Sequence, residues 1–375
     1  MRFLCIAAFQ PDANSGAAGT VFAIGTALRN LGHTVDFEWE PTEPFRFDNV
    51  TASRLFELPG KQLRQAATRL SRAPYDVVII SQPFAYLAYE RLSAEYPRTL
   101  FLNRTHGWEA RLYDAQARFG FGRARSHTSR WPSRISAALH RRACRRTARS
   151  SDAIIAPASL CADFIRSAYD LPPDRVRVIA YGLDADSTPA SRRSHAPGRR
   201  LLFVGSYLPR KGSRILELLL PAIAADFPDS SMTFVTHEAV RPLLEDRYGS
   251  AFGSRLSIHP WMSRESLQAF YSTHDILLFP SLFEGFGKVW MEAMSAGMCV
   301  VGFAEGGLPD VAGEGEALTC ATGDGAALGR LLRCALDDPA RCGEIGRRAH
   351  ERVRRFSWER NARETIDLCQ GLRTA

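Results

Sequence analysis

Two hydrophobic rhythms alternate along this chain. Residues 3–9 form a continuous apolar run, the pattern of a strand covered on both faces. After the loop Ser15-Gly16-Ala17-Ala18-Gly19, the positions Val21, Ile24, Leu28 and Leu31 recur at helical spacing, and Gly32 stops that helix. Residues 34–39 then read as a second strand. The same reasoning predicts strands at 76–81, 99–103, 153–156 and 176–179, with helices between them, most clearly at 133–149 and 159–169. A second series starts with a strand at 201–205. Strands follow near 232–236, 256–258, 276–279 and 299–302, and helices near 213–226, 263–272, 288–295 and 326–336. Residues 339–372 read as helical with a break at Phe356-Ser357, where Ser357 suits an N-cap. Strand–helix alternation of this kind predicts a parallel sheet wrapped on both sides. Here it occurs twice, so the expected class is α/β with two doubly wound domains facing a central cleft.

Length agrees with two domains: 375 residues, 45% hydrophobic and 23% charged, are enough for two buried cores. Between 185 and 200 Ser, Pro, Arg and Ala dominate and periodicity is lost. The expected division is a first domain over 1–185, a linker over 186–200, a second domain over 201–356 and a terminal helix over 357–375. No apolar run approaches the ~18 residues that span a bilayer. The apolar start ends at Gln10-Pro11-Asp12 with no leader-like cleavage region, so it is read as a strand. Eight scattered cysteines without a C-x-x-C pair read as reduced thiols, which points to a cytoplasmic protein. No His, Cys or carboxylate set has metal-ligand spacing.

The net charge of +8 is unevenly placed: ten arginines and no acidic residue lie between Arg118 and Arg149. Such a block attracts polyanions, and Phe119, Phe121 and Trp131 beside it add the character of a membrane-surface segment. A solvated helix face explains the same block without any partner. Nucleic acid is the least favoured of these partners.

Ligands of open parallel sheets bind beyond the carboxyl ends of the strands, and three such segments carry candidate chemistry. In Phe279-Pro280-Ser281-Leu282-Phe283-Glu284-Gly285-Phe286-Gly287-Lys288, a strand opens into a glycine loop and then a helix. Glycines admit a ligand close to the backbone, and the helix start at Phe286 and Gly287 offers N–H groups and the positive end of a dipole, which suit a diphosphate. Glu284 in the loop and Glu292 about one turn into the helix suit sugar hydroxyls. Taken singly, they also read as a capping carboxylate and a solvent-facing helix residue. In Leu201-Leu202-Phe203-Val204-Gly205-Ser206-Tyr207-Leu208-Pro209-Arg210-Lys211-Gly212, a strand ends beside two cations, and a lysine there can reach a phosphate. The third segment, Gly306-Gly307-Leu308-Pro309-Asp310, reads as a tight turn or a second anion nest.

In this order these segments resemble the large retaining GT-B glycosyltransferase family often called family four, group 1. That family carries a Lys-Gly pair, a Pro-Ser-x-x-Glu-Gly-Phe-Gly stretch with a second Glu eight positions on, and a Gly-Gly-x-Pro-Glu turn. Here these are Lys211-Gly212, Pro280 to Gly287 with Glu284 and Glu292, and Gly306 to Asp310. More weakly, Ser15 to Gly19 resembles the family's glycine loop, Gly32-His33-Thr34-Val35 its Gly-His-x-Val, and Tyr181-Gly182-Leu183-Asp184 its Asn-Gly-Val-Asp. Phe356-Ser357-Trp358-Glu359 resembles the start of the final helix that crosses back to the first domain.

The resemblance implies two Rossmann-like domains and roles for single residues. Lys211 would bind the donor diphosphate with the amides of Phe286 and Gly287. Glu292 would hold the nucleotide ribose, and Glu284 would lie by the transferred sugar. His106 would stand near the reacting sugar, and Gly16, Gly306 and Gly307 would line the donor. The family's usual arginine after the strand glycine is replaced by Ser206, so Arg210 or the Ser206 hydroxyl would take its place. The implied reaction is metal-independent transfer, with retention, from a UDP- or GDP-sugar to a sugar or lipid-linked acceptor such as a polysaccharide precursor. No further cofactor and no nucleic acid are expected. The expected location is the cytoplasm, with peripheral contact at the inner face of the membrane through the basic segment. The alternatives are a nucleotide-sugar epimerase or hydrolase on the same fold, and a non-catalytic protein that binds anionic surfaces.

Overall fold

Strands with apolar residues at every position must be covered on both faces, and the chain solves this with two sheets clad in helices. The computed structural model describes residues 1–12, 16–39, 45–47, 50–81, 83–121, 133–183 and 197–374. These fall into two units: Met1–Gly182 with Trp358–Ala375, and Leu183–Ser357. Ser15, Asp184, most of the expected linker (186–196) and Trp131 lie outside the described residues.

The first unit holds β1 (Arg2–Ile6), β2 (Thr34–Glu38), β3 (Val77–Ile80), β4 (Leu100–Arg104), β5 (Ala153–Ala156) and β6 (Val176–Val178). They form one parallel sheet in the order β2-β1-β3-β4-β5-β6. Val77 to Ile80 and Ala153 to Ala156 are buried throughout, as their unbroken apolar runs require. The terminal helix Trp358–Thr374 belongs to this unit. Buried Arg104, at the end of β4, donates to Asn361 Oδ1 at 3.3 Å and to Thr365 Oγ1 at 2.7 Å on that helix. Asn361 in turn donates to the Ala180 carbonyl at 2.7 Å. Burial lowers the Arg104 guanidinium to about 10.

The second unit holds β7 (Arg200–Val204), β8 (Ser231–Val235), β9 (Leu256–His259), β10 (Ile276–Phe279), β11 (Cys299–Phe303) and β12 (Leu318–Cys320). Its sheet is parallel, in the order β12-β11-β10-β7-β8-β9. The chain therefore winds outward one way from β7 through β9 and the other way from β10 through β12. The order reverses between β7 and β10, and the loops after these two strands open there.

The predicted strands recur within one residue at each end, except the first, which ends at Ile6 rather than at residue 9, and the helices Ser159–Tyr169, Ser213–Asp226 and Lys288–Ser295 match in full. Edge strand β12 was missed because it is three residues long with Thr319 exposed, so no apolar run marks it. The break at Phe356-Ser357 separates the helix Pro339–Val353 from Trp358–Thr374. All eight cysteines are free thiols. Among the described residues no helix is long and apolar enough to cross a membrane.

Candidate active site

The loops after β7 and β10 are joined by a series of contacts at the point of strand reversal. After β7 a single tight turn, Pro209–Lys211, ends at Gly212 with φ 83°. Gly212 lies so close to the Pro280 backbone that a Cβ there would overlap it, which requires glycine twice over. The Leu282 amide donates to the Arg210 carbonyl at 2.8 Å, and Arg210 Nη1 donates to the Phe283 carbonyl at 3.2 Å. The Lys211 ammonium is ion-paired with Glu284, and both are largely buried, their side chains 18% and 9% exposed. Glu284, read from sequence as a partner for sugar hydroxyls or, taken singly, as a capping carboxylate, is here the counter-charge that holds the lysine.

The helix Lys288–Ser295 begins four positions beyond Glu284. Its N-cap is Gly287 at φ 90°. A Cβ on Gly287 would lie 2.7 Å from Trp290 Nε1 and 3.0 Å from Phe279 Cζ. Lys211 and the turn at Phe286-Gly287 thus converge on the same edge of the sheet.

The loop after β11 closes the third side. Glu305 is buried and accepts from the Glu284 amide at 3.2 Å and from Thr322 Oγ1 at 3.4 Å. Gly306, with φ 65°, passes against the Phe286 carbonyl and Glu284 Cβ. The Gly307 amide donates to the Phe286 carbonyl at 2.9 Å, and Trp290 Nε1 donates to the same oxygen at 2.9 Å. This corrects the anion-nest reading of Gly306-Gly307. The Gly307 N–H is used within the protein, and the glycines are there because a side chain would strike the neighbouring loop.

Glu292 is also buried rather than solvent-facing. Its Oε2 accepts from Tyr271 Oη at 3.0 Å, and its Oε1 lies 3.7 Å from Arg264 Nε. Burial, and then the Glu292 charge, raise the Tyr271 phenol well above its ordinary range. Sequence reading missed Glu305, Tyr271 and Arg264. Glu305 directly precedes the glycine pair, which was the one local signal for it.

Ser206, where a cation was expected, lies 3.2 Å from His237 Nε2, which also accepts from Trp261 Nε1 at 3.0 Å. These three residues follow β7, β8 and β9, so the edge beside Lys211 is lined by a hydroxyl, an imidazole and an indole that is 44% exposed.

His106 and Gly16 belong to the first unit. His106 follows β4, with Nδ1 2.6 Å from Tyr181 Oη and Phe9 edge-on at 5.9 Å. Gly16 begins the helix Gly16–Asn30, and an added Cβ there would meet nothing within 4 Å. Among the described residues there is no group of three His, Cys, Asp or Glu side chains that could hold a metal ion.

Residues 14–187 match the family model described as Glycosyltransferase Family 4, and residues 198–338 match Glycosyl transferases group 1. The D-inositol 3-phosphate glycosyltransferase of Corynebacterium efficiens is 30% identical over 230 residues, covering 55% of this chain and 53% of that one. That of Corynebacterium glutamicum is 29% identical over 223 residues, covering 53% and 52%. The chain thus spans about half the length of the curated relatives it matches. Among solved structures, sucrose-phosphate synthase of Thermosynechococcus elongatus superposes with a TM-score of 0.74 at 20% identity over 99% of both chains. Anabaena HepE in complex with UDP superposes with a TM-score of 0.68 at 16% identity over 99% of this chain and 100% of that one. At these identities the structural likeness shows the fold. Two family models that between them reach across both units, and two six-stranded parallel sheets of the GT-B kind, lead to one statement: the chain belongs to the family 4, group 1 glycosyltransferases.

Proposed function

We propose that this protein transfers a glycosyl group from a nucleoside diphosphate sugar to a sugar or lipid-linked acceptor, with retention and without a metal ion. The observation that carries the reading is the convergence of the Lys211 ammonium with the Gly287-headed helix where the second sheet reverses its strand order. A diphosphate presents two linked anions, and a lysine beside a helix N-terminus is complementary to them. Glu284 keeps the ammonium in place before a donor arrives.

The chemistry follows from where charge grows. As the bond from the anomeric carbon to the phosphate oxygen breaks, negative charge develops on that oxygen, and Lys211 and the helix dipole stabilise it. The acceptor hydroxyl adds to the same face of the sugar and gives its proton to the departing phosphate. Glu292, held by Tyr271 and Arg264, is assigned to the ribose, and Glu284 to the transferred sugar. His106, steadied by Tyr181, is assigned to the sugar from the first unit, with Gly16 admitting the donor. Arg210 acts mainly by tying its loop to Phe283, which leaves the Ser206, His237 and Trp261 edge to meet the rest of the nucleotide. The HepE structures contain UDP or UDP-glucose, so uridine donors are tested first and guanosine donors second.

A thermal-shift screen of UDP, GDP, ADP and their sugars tests the reading. A ligand at about 100 times its Kd adds roughly 2.7 kcal/mol, a rise of about 5–10 °C for units of this size. No shift with any nucleoside diphosphate removes the proposal. A donor consumed without acceptor into a C2-inverted sugar replaces transfer with epimerisation.

A further inference from the structure

We propose that the helix Ser133–Ser150 carries a phosphate-binding face that seats the protein on an anionic lipid surface through Arg142, Arg145 and Arg149. This goes beyond the transfer reaction and does not depend on it.

The first observation is how arginine is compensated elsewhere in the same chain. On the helix Pro339–Val353, Arg347 pairs with Glu344 and Glu351 at 2.7 Å each. On Trp358–Thr374, Arg360 pairs with Glu364 and Arg363 with Glu359, again at 2.7 Å. These are ordinary solvated faces with carboxylates three or four positions away. The helix Ser133–Ser150 has no acidic residue at all. Arg141 borrows Asp114 at 2.6 Å, and Arg146 borrows Glu90 at 2.5 Å. Arg142, Arg145 and Arg149 are exposed and meet no carboxylate among the described residues.

The second observation is a concavity. Glu90, Arg142, Arg145, Arg146, Arg149 and Ser150 line a cavity of ≈ 510 Å³. Its one carboxylate is taken bidentately by Arg146, with Nε at 3.0 Å and Nη2 at 2.5 Å, and the same guanidinium lies 3.9 Å over the Tyr86 ring. Four guanidinium charges against one carboxylate leave three in excess. Arg149, in the last turn, is also favoured by the helix dipole. Arg142 and Arg145 stand farther back, where that effect has faded. Guanidinium groups so arranged are forks for phosphate oxygens.

The third observation selects a membrane over a soluble polyanion. Ile135, 46% exposed, shares the heptad position of Arg142 and Arg149 on the outer face of this helix. The segment before Leu58 packs Leu55 against Ala143 and Leu139 of the same helix, and it exposes Phe47, Val50 and Phe56 at 47%, 66% and 52%. Exposed apolar side chains on a basic helix and on the segment packed against it suit the boundary between headgroups and acyl chains. A nucleic acid would use the charges alone.

Vesicle co-sedimentation of the full chain tests this. The protein is expected to bind vesicles containing phosphatidylglycerol and not phosphatidylcholine alone. Each basic residue near such a surface contributes about fivefold, so Arg142→Gln, Arg145→Gln and Arg149→Gln together reduce binding on the order of 100-fold. The matched set Arg347→Gln, Arg360→Gln and Arg363→Gln removes the same charge and is expected to leave binding within a few-fold. Phe56→Ser is expected to weaken binding about tenfold. Equal losses in the two triple variants, or full displacement by duplex DNA at matched phosphate, overturn the proposal. An unchanged melting temperature in the first variant shows that the loss is not unfolding.

Discussion

Replacing Lys211 by Met separates what the lysine does for the fold from what it does for the ligand. The substitution keeps the aliphatic stem and removes the ammonium, leaving Glu284 in a site where its side chain is 9% exposed. Breaking a fully buried pair costs about 3–5 kcal/mol. Lys211 is 18% exposed, so solvent screens part of this, and about 2–3 kcal/mol is the working figure. The second unit should then melt about 5–10 °C lower. Adding Glu284→Gln removes the stranded charge and should recover most of that loss. Nucleotide binding responds differently. Losing one charged hydrogen-bond donor to a diphosphate costs about 1.5–3 kcal/mol, a roughly 10- to 150-fold weaker Kd for UDP, and the double variant does not regain it. In turnover the loss should reach about 100-fold or more, since the charge on the departing phosphate grows in the transition state. Calorimetric titration of UDP into wild type, Lys211→Met and the double variant, beside their melting curves, gives the answer. A double variant with both wild-type stability and wild-type UDP affinity would refute the argument, because the ammonium would then serve only to neutralise Glu284.

Three further outcomes are expected. Gly287→Ala should destabilise by about 2–4 kcal/mol, because it forces a left-handed backbone and drives a Cβ to 2.7 Å from Trp290 Nε1. Gly16→Ala, with nothing within 4 Å, should leave the melting temperature unchanged or slightly higher, so an activity loss there reports contact with a ligand. Burial pushes the Glu109 carboxyl up to about 7, and its Oε2 makes no hydrogen bond among the described residues. The folded chain therefore keeps a proton that the unfolded chain releases near the ordinary glutamate value. Stability should be greatest below that value, fall as pH rises to about 7 and then level off, a change of about 2–3 kcal/mol. Glu109→Gln should abolish this part of the profile and be the more stable protein above pH 7. Parallel melting curves for the two across this range would show that Glu109 ionises freely.

The sequence by itself determined the elements, because apolar runs and helical spacing are local properties of the chain. It gave strand Ala153–Ala156 and the helices Ser159–Tyr169 and Lys288–Ser295 to the residue. It also singled out Lys211 and Glu284, which stand in loops after strands, and Glu292, eight positions beyond Glu284 in the helix that follows. It misjudged what surrounds them. A carboxylate read alone looks solvated, and only the folded sheet shows Glu284 facing Lys211, and Glu292 facing Tyr271 and Arg264. The Gly306-Gly307 turn looked like an anion nest until the Phe286 carbonyl was seen to take the Gly307 amide. Glu305 and the Ser206–His237–Trp261 contact carried almost no local signal. Tertiary structure decided these because strand order, not sequence distance, sets which loops meet. With β10 beside β7, residues 73 positions apart come into contact, and hydrogen-bonding groups that look available along the chain are already used.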